Sequence, residues 1–597
     1  MGIVFLENEM NRFNLRYFIV IAIISAFAFV FELNAENASR AIEAPFKEHP
    51  TLHCLGARWK IKGDANRNAV IEVRFRQTGE EKWRMGFPLF RCIPNASQGG
   101  KSTRLGVPGG WMFAGSIFDL EPDTNYEVRL NLKDPDGGGE EQVLTMKTWK
   151  EPLEPPGMKK VHVQPGDGGG SGTEPDPFKG IVAALASAKP GTLFLLHKGT
   201  YPAFTIKADG QSGKPIIFRG AGDGEAIIDA GGSFDTKGSV IYARDRKHLW
   251  FESLTVRGAF YAINANSASH FVIRRCKFRE VGKGFNSQNG GYNKSVHHFI
   301  ADNDIVGPTK WPRTKGIESY CLTYISGGGH VVCHNRMYNV GDGMHGTGHG
   351  TASACDFYNN DMNICTDDGI ETDHCEFNMR VWGNRIRNVA HGITVQPSRA
   401  GPVYIFRNFI YNATYSPFKL HNHTTGVLLI HNTCMKQRNA FNIVPASESV
   451  LNVVMRNNLF LTASGTGLYV GTPNCRDFDI DSDGYGGFQK FARWNRRTDY
   501  KTIADAKKAG QIYQGRGAYM IDPATCFASG LKPPANRDKE YTIDELDFRL
   551  AEKSDAVDKG VVLPNLNDNF QGTAPDLGAL EYGDEPPHFG PRAQNEE

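Results

Sequence analysis

Long hydrophobic runs, an excess of either charge and a cysteine framework are all missing from this sequence. The apolar stretch Tyr17 to Phe31 has fifteen residues in a chain of 597, short of the roughly 20 that a membrane helix needs. Arg12 and Arg16 precede it and Ala35 offers a cleavage point, so residues 1–35 read as a secretory signal. That predicts a secreted or cell-envelope protein, in contact with a membrane only if this segment stays uncleaved. Lys plus Arg number 67 and Asp plus Glu 65, a net charge of +2, so no nucleic-acid partner is expected. Eleven cysteines are an odd number, which argues against a complete disulfide framework, and their spacing fits no common zinc site. Cys54 with Cys92 and Cys475 with Cys526 are the pairs that share a segment; the cysteines inside the repeats below read as small buried apolar residues. Several leucines per repeat are also missing, which excludes a leucine-rich repeat.

Asparagine is what recurs. Asn303, Asn335, Asn360, Asn384, Asn408, Asn432 and Asn457 follow one another at intervals of 32, 25, 24, 24, 24 and 25. A fixed period of this size marks a repeat architecture. Each Asn follows a short alternating apolar run, as in "MRVWGNRI" and "LNVVMRNNLF", and alternation means strand. Nine to eleven residues later a second apolar point appears, often after Gly, as in Gly343-Met344 and Gly369-Ile370. The pattern predicts an all-β, right-handed parallel β-helix in which every asparagine amide bonds the next, ~4.8 Å above. Each Asn is expected to take the left-handed turn itself. The 32-residue interval holds an insertion near 307–316, of the kind that walls a groove.

Composition divides the chain. Residues 48–150 alternate as strands of another texture, 151–160 form a Pro-rich linker, 161–475 carry the repeat, 476–583 read as a C-terminal cap and 584–597 as a disordered polar tail. Within the first unit, Leu120 to Arg129 resembles a fibronectin type III domain with Tyr126 as its corner tyrosine. The resemblance implies a β-sandwich spacer or adhesion module. A helix is predicted from Pro177, capped by Asp176, with Phe178, Ile181, Val182, Leu185 and Ala186 on one face. It would lid the open end of the coil. Asp479, Asp481 and Asp483 begin like a calcium loop, but the twelfth position is Lys490 where a Glu is required. "GTGHG" (346–350) lacks the strand-to-helix setting of a phosphate loop.

Aligning the repeats on the second apolar point places Phe285, Met344, Ile370, Ile393, Phe418, Phe441 and Leu468 inward. The next residue then faces out, giving a column Asn286, His345, Glu371, Thr394, Lys419, Asn442 and Tyr469. Two positions further lie Asp373, Gln396 and His421, while Asp367, Asp368 and His391 fall in neighbouring turns. The middle rungs therefore gather acids, histidines and a lysine that packing does not require, although a polar outer face is also what water alone would select.

The repeat, the helical lid and the tail phrases together resemble the right-handed parallel β-helix, or pectin-lyase-like, superfamily. That likeness implies a polysaccharide or glycan partner without choosing a reaction. A lyase acting on an acidic polysaccharide by β-elimination needs a base and a neutraliser of the uronate charge. Lys419 or His421 would be the base, and Lys419 would need a lowered pKa. His345, Glu371 and Asp373 complete the catalytic candidates, with Gln396, Thr394, His391 and Asn442 as substrate contacts. Asp368, Glu371 and Asp373 are the candidate calcium ligands. A glycoside hydrolase using Glu371 and Asp373, or a non-catalytic glycan-binding surface protein, are the alternatives.

Overall fold

The computed structural model describes residues 37–94, 107–288, 291–313, 320–346, 351–443, 449–471, 475–509 and 517–593. The expected signal 1–35 and most of "GTGHG" lie outside these residues. Among them no helix is long and apolar enough to cross a membrane.

From Lys159 onward the chain is a β-solenoid of about 11 turns. One parallel sheet has 14 strands and a second has 17. Each turn contributes an alternating run whose inward residues stack on those of the next. Thus Val381, Ile405 and Leu429 lie in register and are fully buried. All seven residues read as inward are buried in the same continuous core.

The asparagine column is a ladder, with two corrections. Asn303 Nδ2 donates to Asn335 Oδ1 at 2.9 Å, and the relation repeats through Asn360, Asn384, Asn408 and Asn432. It then passes to Asn458, not Asn457, and ends on Asp483 Oδ1 at 2.8 Å. Asp483 is thus the last rung and no part of a calcium loop. Nor do the ladder residues take the left-handed turn. The residue before each does so: Asp302, His334, Asn359, Gly383, Arg407, His431 and Asn457 have φ between 53° and 61°. The ladder side chain is thereby turned into the interior, where it satisfies backbone groups that a bend leaves unpaired. Asn384→Ala strips bonds from Asn360 N, Asn360 Nδ2 and the Phe357 carbonyl. At about 1–3 kcal/mol per buried orphan, we expect a loss of at least ~2 kcal/mol in denaturant unfolding. A loss within error would show that the ladder is incidental to stability.

The predicted lid helix is shorter than its pattern. Phe178–Lys179 pairs as strand with Val163–Gln164, and the helix spans only Ile181–Ala184, followed by a 3-10 turn Leu185–Ser187. Gly180, at φ 99°, breaks the segment between them. Ile181 and Ala184 still reach the core, whereas Val182 is exposed. The solenoid also runs past 475: Cys475–Asp481 and Asp483–Gly486 are parallel strands of its two sheets. Residues 521–580 then turn back along the flank, packing Phe527, Tyr541 and Phe548 on Phe409 and Tyr411. The tail expected to be disordered is docked as far as 593, with Arg592 paired to Asp302 at 2.7 Å.

Residues 40–147 form an antiparallel unit of eight strands. Tyr126 is buried, and its hydroxyl accepts the Glu121 N–H at 2.9 Å. This unit is not a spacer on a loose linker. It lies against the solenoid, where Phe118 meets Tyr404 and Phe406 edge-on. Asn565 bonds both backbone groups of Phe118, at 2.8 and 2.9 Å. Arg380, fully buried, pairs with Asp356 at 2.5 Å and donates to Ser116 Oγ at 3.1 Å. All eleven cysteines are free, so neither expected disulfide forms. Cys54 and Cys92 sit instead in separate apolar clusters of the docking interface.

Candidate functional site

The outward column is assembled as the repeat alignment requires. His345 pairs in register with Glu371, Glu371 with Thr394, and Thr394 with Lys419. One rung is added: Tyr324, in the strand after the insertion, stands between Asn286 and His345. The expectation of a water-facing stripe does not hold. Glu371, Asp373 and Asp368 are all buried, and Thr394, taken as a substrate contact, has no exposed surface.

A glycine column explains how a second row enters the site. Gly343, Gly369 and Gly392 precede the inward residues, and a Cβ on each would stand 2.4, 2.6 and 2.4 Å from the carbonyl of the next turn. Only glycine permits that approach. The row just before these glycines is Asp342, Asp368 and His391. Asp368 and His391 are register partners within strands Asp361–Glu371 and Arg385–Val395, not in turns. The register slips between Cys365 and Asp368, and again on the other side of Arg385–Val395, so both flanking strands carry an extra residue there. Bulges of this kind re-aim side chains. The extra residues include Asp367 in one strand and Tyr415 in the other. Tyr415 is 56% exposed and stacks on His391, centroids 5.4 Å apart.

Charges are concentrated here. His345 Nε2 meets Glu371 Oε2 at 2.5 Å. Lys419 Nζ lies 3.1 Å from Asp368 Oδ2 and 3.9 Å from Asp367 Oδ1. Burial, reinforced by the other carboxylates, raises Asp342 and Asp373 well above the usual range. It pushes Asp368 and Glu371 up to about 7, with Lys419 opposing. Burial lowers His345 to about 4 and His391 to about 2. For Lys419 the expected depression is reversed. Burial opposes its charge, but Asp368 and Asp367 outweigh it and the pKa is raised. Lys419 is therefore an ion-paired ammonium and a poor base. Lys436 is the lysine that burial lowers, to about 7; it donates to Tyr415 O and Asn442 Oδ1 at 2.5 and 2.7 Å. Asn442, expected to contact substrate, is thus engaged by a residue that sequence reasoning missed.

The expected ligand trio is regrouped. Asp368, Glu371 and Asp373 are not a set with mutually close donor atoms. Among the described residues, Asp342, His345 and Glu371 form one group and Asp367, Asp368 and His391 another, each with its ligand atoms within 4.8 Å. The groups adjoin, since Asp368 N donates to Asp342 Oδ1 at 3.2 Å. Asp373 Oδ1 instead accepts the Gln396 N–H at 2.9 Å. Gln396 Oε1 stands 3.1 Å from His421 Nδ1. An amide oxygen only accepts, so Nδ1 carries a proton. Beyond His345, Lys283 lies 3.3 Å from the Tyr324 ring centroid. Asp342 and Lys283 hold the same place in their repeats, two before the inward residue, and were legible there.

No protein-family model matches the chain, and no curated protein does. Among solved structures, an alginate lyase from Paenibacillus sp. str. FPU-7 is similar over 52% of this chain and 95% of its own, at 15% identity and TM-score 0.27. A PL6 family polysaccharide lyase from Pseudopedobacter saltans is similar over 61% and 96%, at 13% identity and TM-score 0.29.

Proposed function

We propose that the protein is an exported polysaccharide lyase that cleaves an acidic glycan by β-elimination at this site. The observation that carries the reading is the pairing of a tautomer-fixed imidazole, His421, with an ammonium two residues away, Lys419. Such a pair matches what the reaction asks for. The proton next to the uronate carboxylate leaves to His421 Nε2, and Lys419 balances the charge that builds on the carboxylate. The electron pair forms the double bond as the glycosidic C–O bond breaks. Glu371, with its pKa near 7, supplies the proton to the departing oxygen. Tyr415 offers its exposed ring as a stacking platform for the sugar. The hydrolase reading is weaker, because Asp373 is buried and committed to Gln396. The eight-stranded unit, read as fibronectin type III-like on Tyr126, then acts as a docked support.

The two carboxylate groups also fit a calcium ion. Buried oxygen donors crowded beyond what Lys419 can neutralise are the ligands a hard divalent cation takes. Asp342, Asp367 and Asp368 would hold it, leaving Glu371 to carry the proton, and it would add positive charge for the uronate carboxylate. Linkage gives the sign of the test. With folded pKa values of about 7 for Asp368 and Glu371, the cluster binds more protons folded than unfolded. The stability this contributes is complete below the unfolded values near 4 and is lost as pH rises to about 7. The half-buried His270 and the buried His330, lowered to about 4 by desolvation, slope the other way, with stability present above pH 6.5 and lost below it. The readout is therefore the calcium-induced shift in melting temperature at each pH. It should be large at pH 8 and vanish near pH 5; equal shifts at both would remove the carboxylates from the site.

For the activity itself, acidic polysaccharides are incubated with the protein, and unsaturated uronate and new reducing ends are both followed. Unsaturated ends are expected. Reducing ends without them would identify a hydrolase, and neither product from any acidic glycan would leave only a binder.

A further inference from the structure

We propose a second sugar-binding site, for a neutral sugar unit held by its hydroxyls, in the cavity where the eight-stranded unit, the solenoid and the returning C-terminal segment meet. The cavity measures about 600 Å³, within the ~300–1,000 Å³ typical of small-molecule sites. Three parts of the chain build it, and nothing in the β-elimination reading uses it.

Its solenoid wall is a stack of aromatics one rung apart. Tyr358 and Trp382 lie 4.6 Å apart at 11°, and Trp382 and Phe406 lie 5.5 Å apart at 13°. Arg407 stands beside them. Its Nη2 donates to the Leu566 carbonyl at 3.3 Å. Among the described residues no carboxylate comes within ion-pair distance of its guanidinium. A guanidinium with further N–H groups at a cavity wall suits an oxygen-bearing ligand. Asp568 and Asn569 are both exposed at the cavity; Asp568 Oδ2 accepts the Asn565 N–H at 2.8 Å, so its Oδ1 is the acceptor offered to a ligand and Asn569 the donor. The rings cover one another's faces and present their edges to the cavity; amide, carboxylate and guanidinium groups beside such apolar edges match a pyranose, which carries both hydroxyls and C–H groups.

The lining charge selects the kind of sugar. Asp119, Asp568, Glu581 and Asp584 outnumber Arg84 and Arg407, so a polyanion is disfavoured and a neutral unit is preferred. The stacked aromatics belong to, or directly follow, strands of the 14-stranded sheet, whereas Glu371 and Lys419 lie on the 17-stranded one. The two sites are therefore separate, and occupation of one does not compete with the other.

The test uses the full chain, with calorimetry and tryptophan fluorescence. The probes are cellobiose and mannobiose as neutral arms and digalacturonate as the acidic arm. Saturable binding of a neutral disaccharide is expected. Asp568→Asn, which keeps an oxygen for the Asn565 N–H, and Asn569→Ala should each weaken it about three- to tenfold, the effect of one altered hydrogen bond. Trp382→Phe should remove the fluorescence response. Production of unsaturated uronate should be unchanged in the two rim variants. The proposal is overturned if neither neutral probe saturates, if both rim variants bind like wild type, or if digalacturonate alone binds and is weakened by them.

Discussion

His421→Ala is expected to lower the rate of unsaturated-uronate formation by about 10²–10⁴-fold, the span of a lost general base, with the melting temperature unchanged. The reason is geometric. Gln396 Oε1 at 3.1 Å fixes the Nδ1 proton, so Nε2 can take a proton without tautomer exchange. Lys419→Met should cost about 10²–10³-fold, as removing one electrostatic stabiliser does, and the loss should persist at high pH. A base lysine would behave differently, since the rate of wild type would climb steeply as the ammonium deprotonated. If His421→Ala turns over like wild type while Lys419→Met is dead with such a pH profile, the roles are reversed. If both retain full rates, the chemistry lies elsewhere.

The largest stability effect is expected at Arg380. The pair with Asp356 is fully buried on both sides. Removing the guanidinium strands a carboxylate among Thr51, Cys54 and Ser116, under the docked unit. Breaking such a pair costs about 3–5 kcal/mol, so Arg380→Ala should shift the denaturant midpoint by that amount. Replacing both partners by Met and Leu should recover most of it, because two apolar groups need no partner. A loss under about 1 kcal/mol for Arg380→Ala would mean that the eight-stranded unit is not held there, and the interface would have to be weaker than its burial suggests.

Part of this was written plainly in the sequence. The recurrence of Asn and the alternation around it set the strand period and the inward residues, and the outward column followed from strand geometry alone. The docking also left a trace that alternation obscured. In "VYIF" (403–406) every residue is buried: Val403 and Ile405 fill the solenoid, while Tyr404 and Phe406 face the other unit. A strand apolar on both faces announces a covered outer face, and Trp382, Leu428 and Ile430 repeat the message. Two asparagines are adjacent in "RNNLF", and period alone cannot choose between Asn457 and Asn458 as the rung. Hydrogen bonding does so, since only Asn458 faces inward.

Sequence by itself determined the coil, its period and which residues share a stripe, because a strand's side chains alternate and a repeat stacks them in register whatever surrounds it. Tertiary structure decided the chemistry of that stripe. How far Glu371, Asp368 and Lys419 are removed from water depends on which segments cover them; burial sets the pKa values of the two carboxylates, and carboxylates brought from another turn set that of Lys419. The same holds for the docked unit and the returning tail, whose positions rest on contacts between residues more than 250 apart.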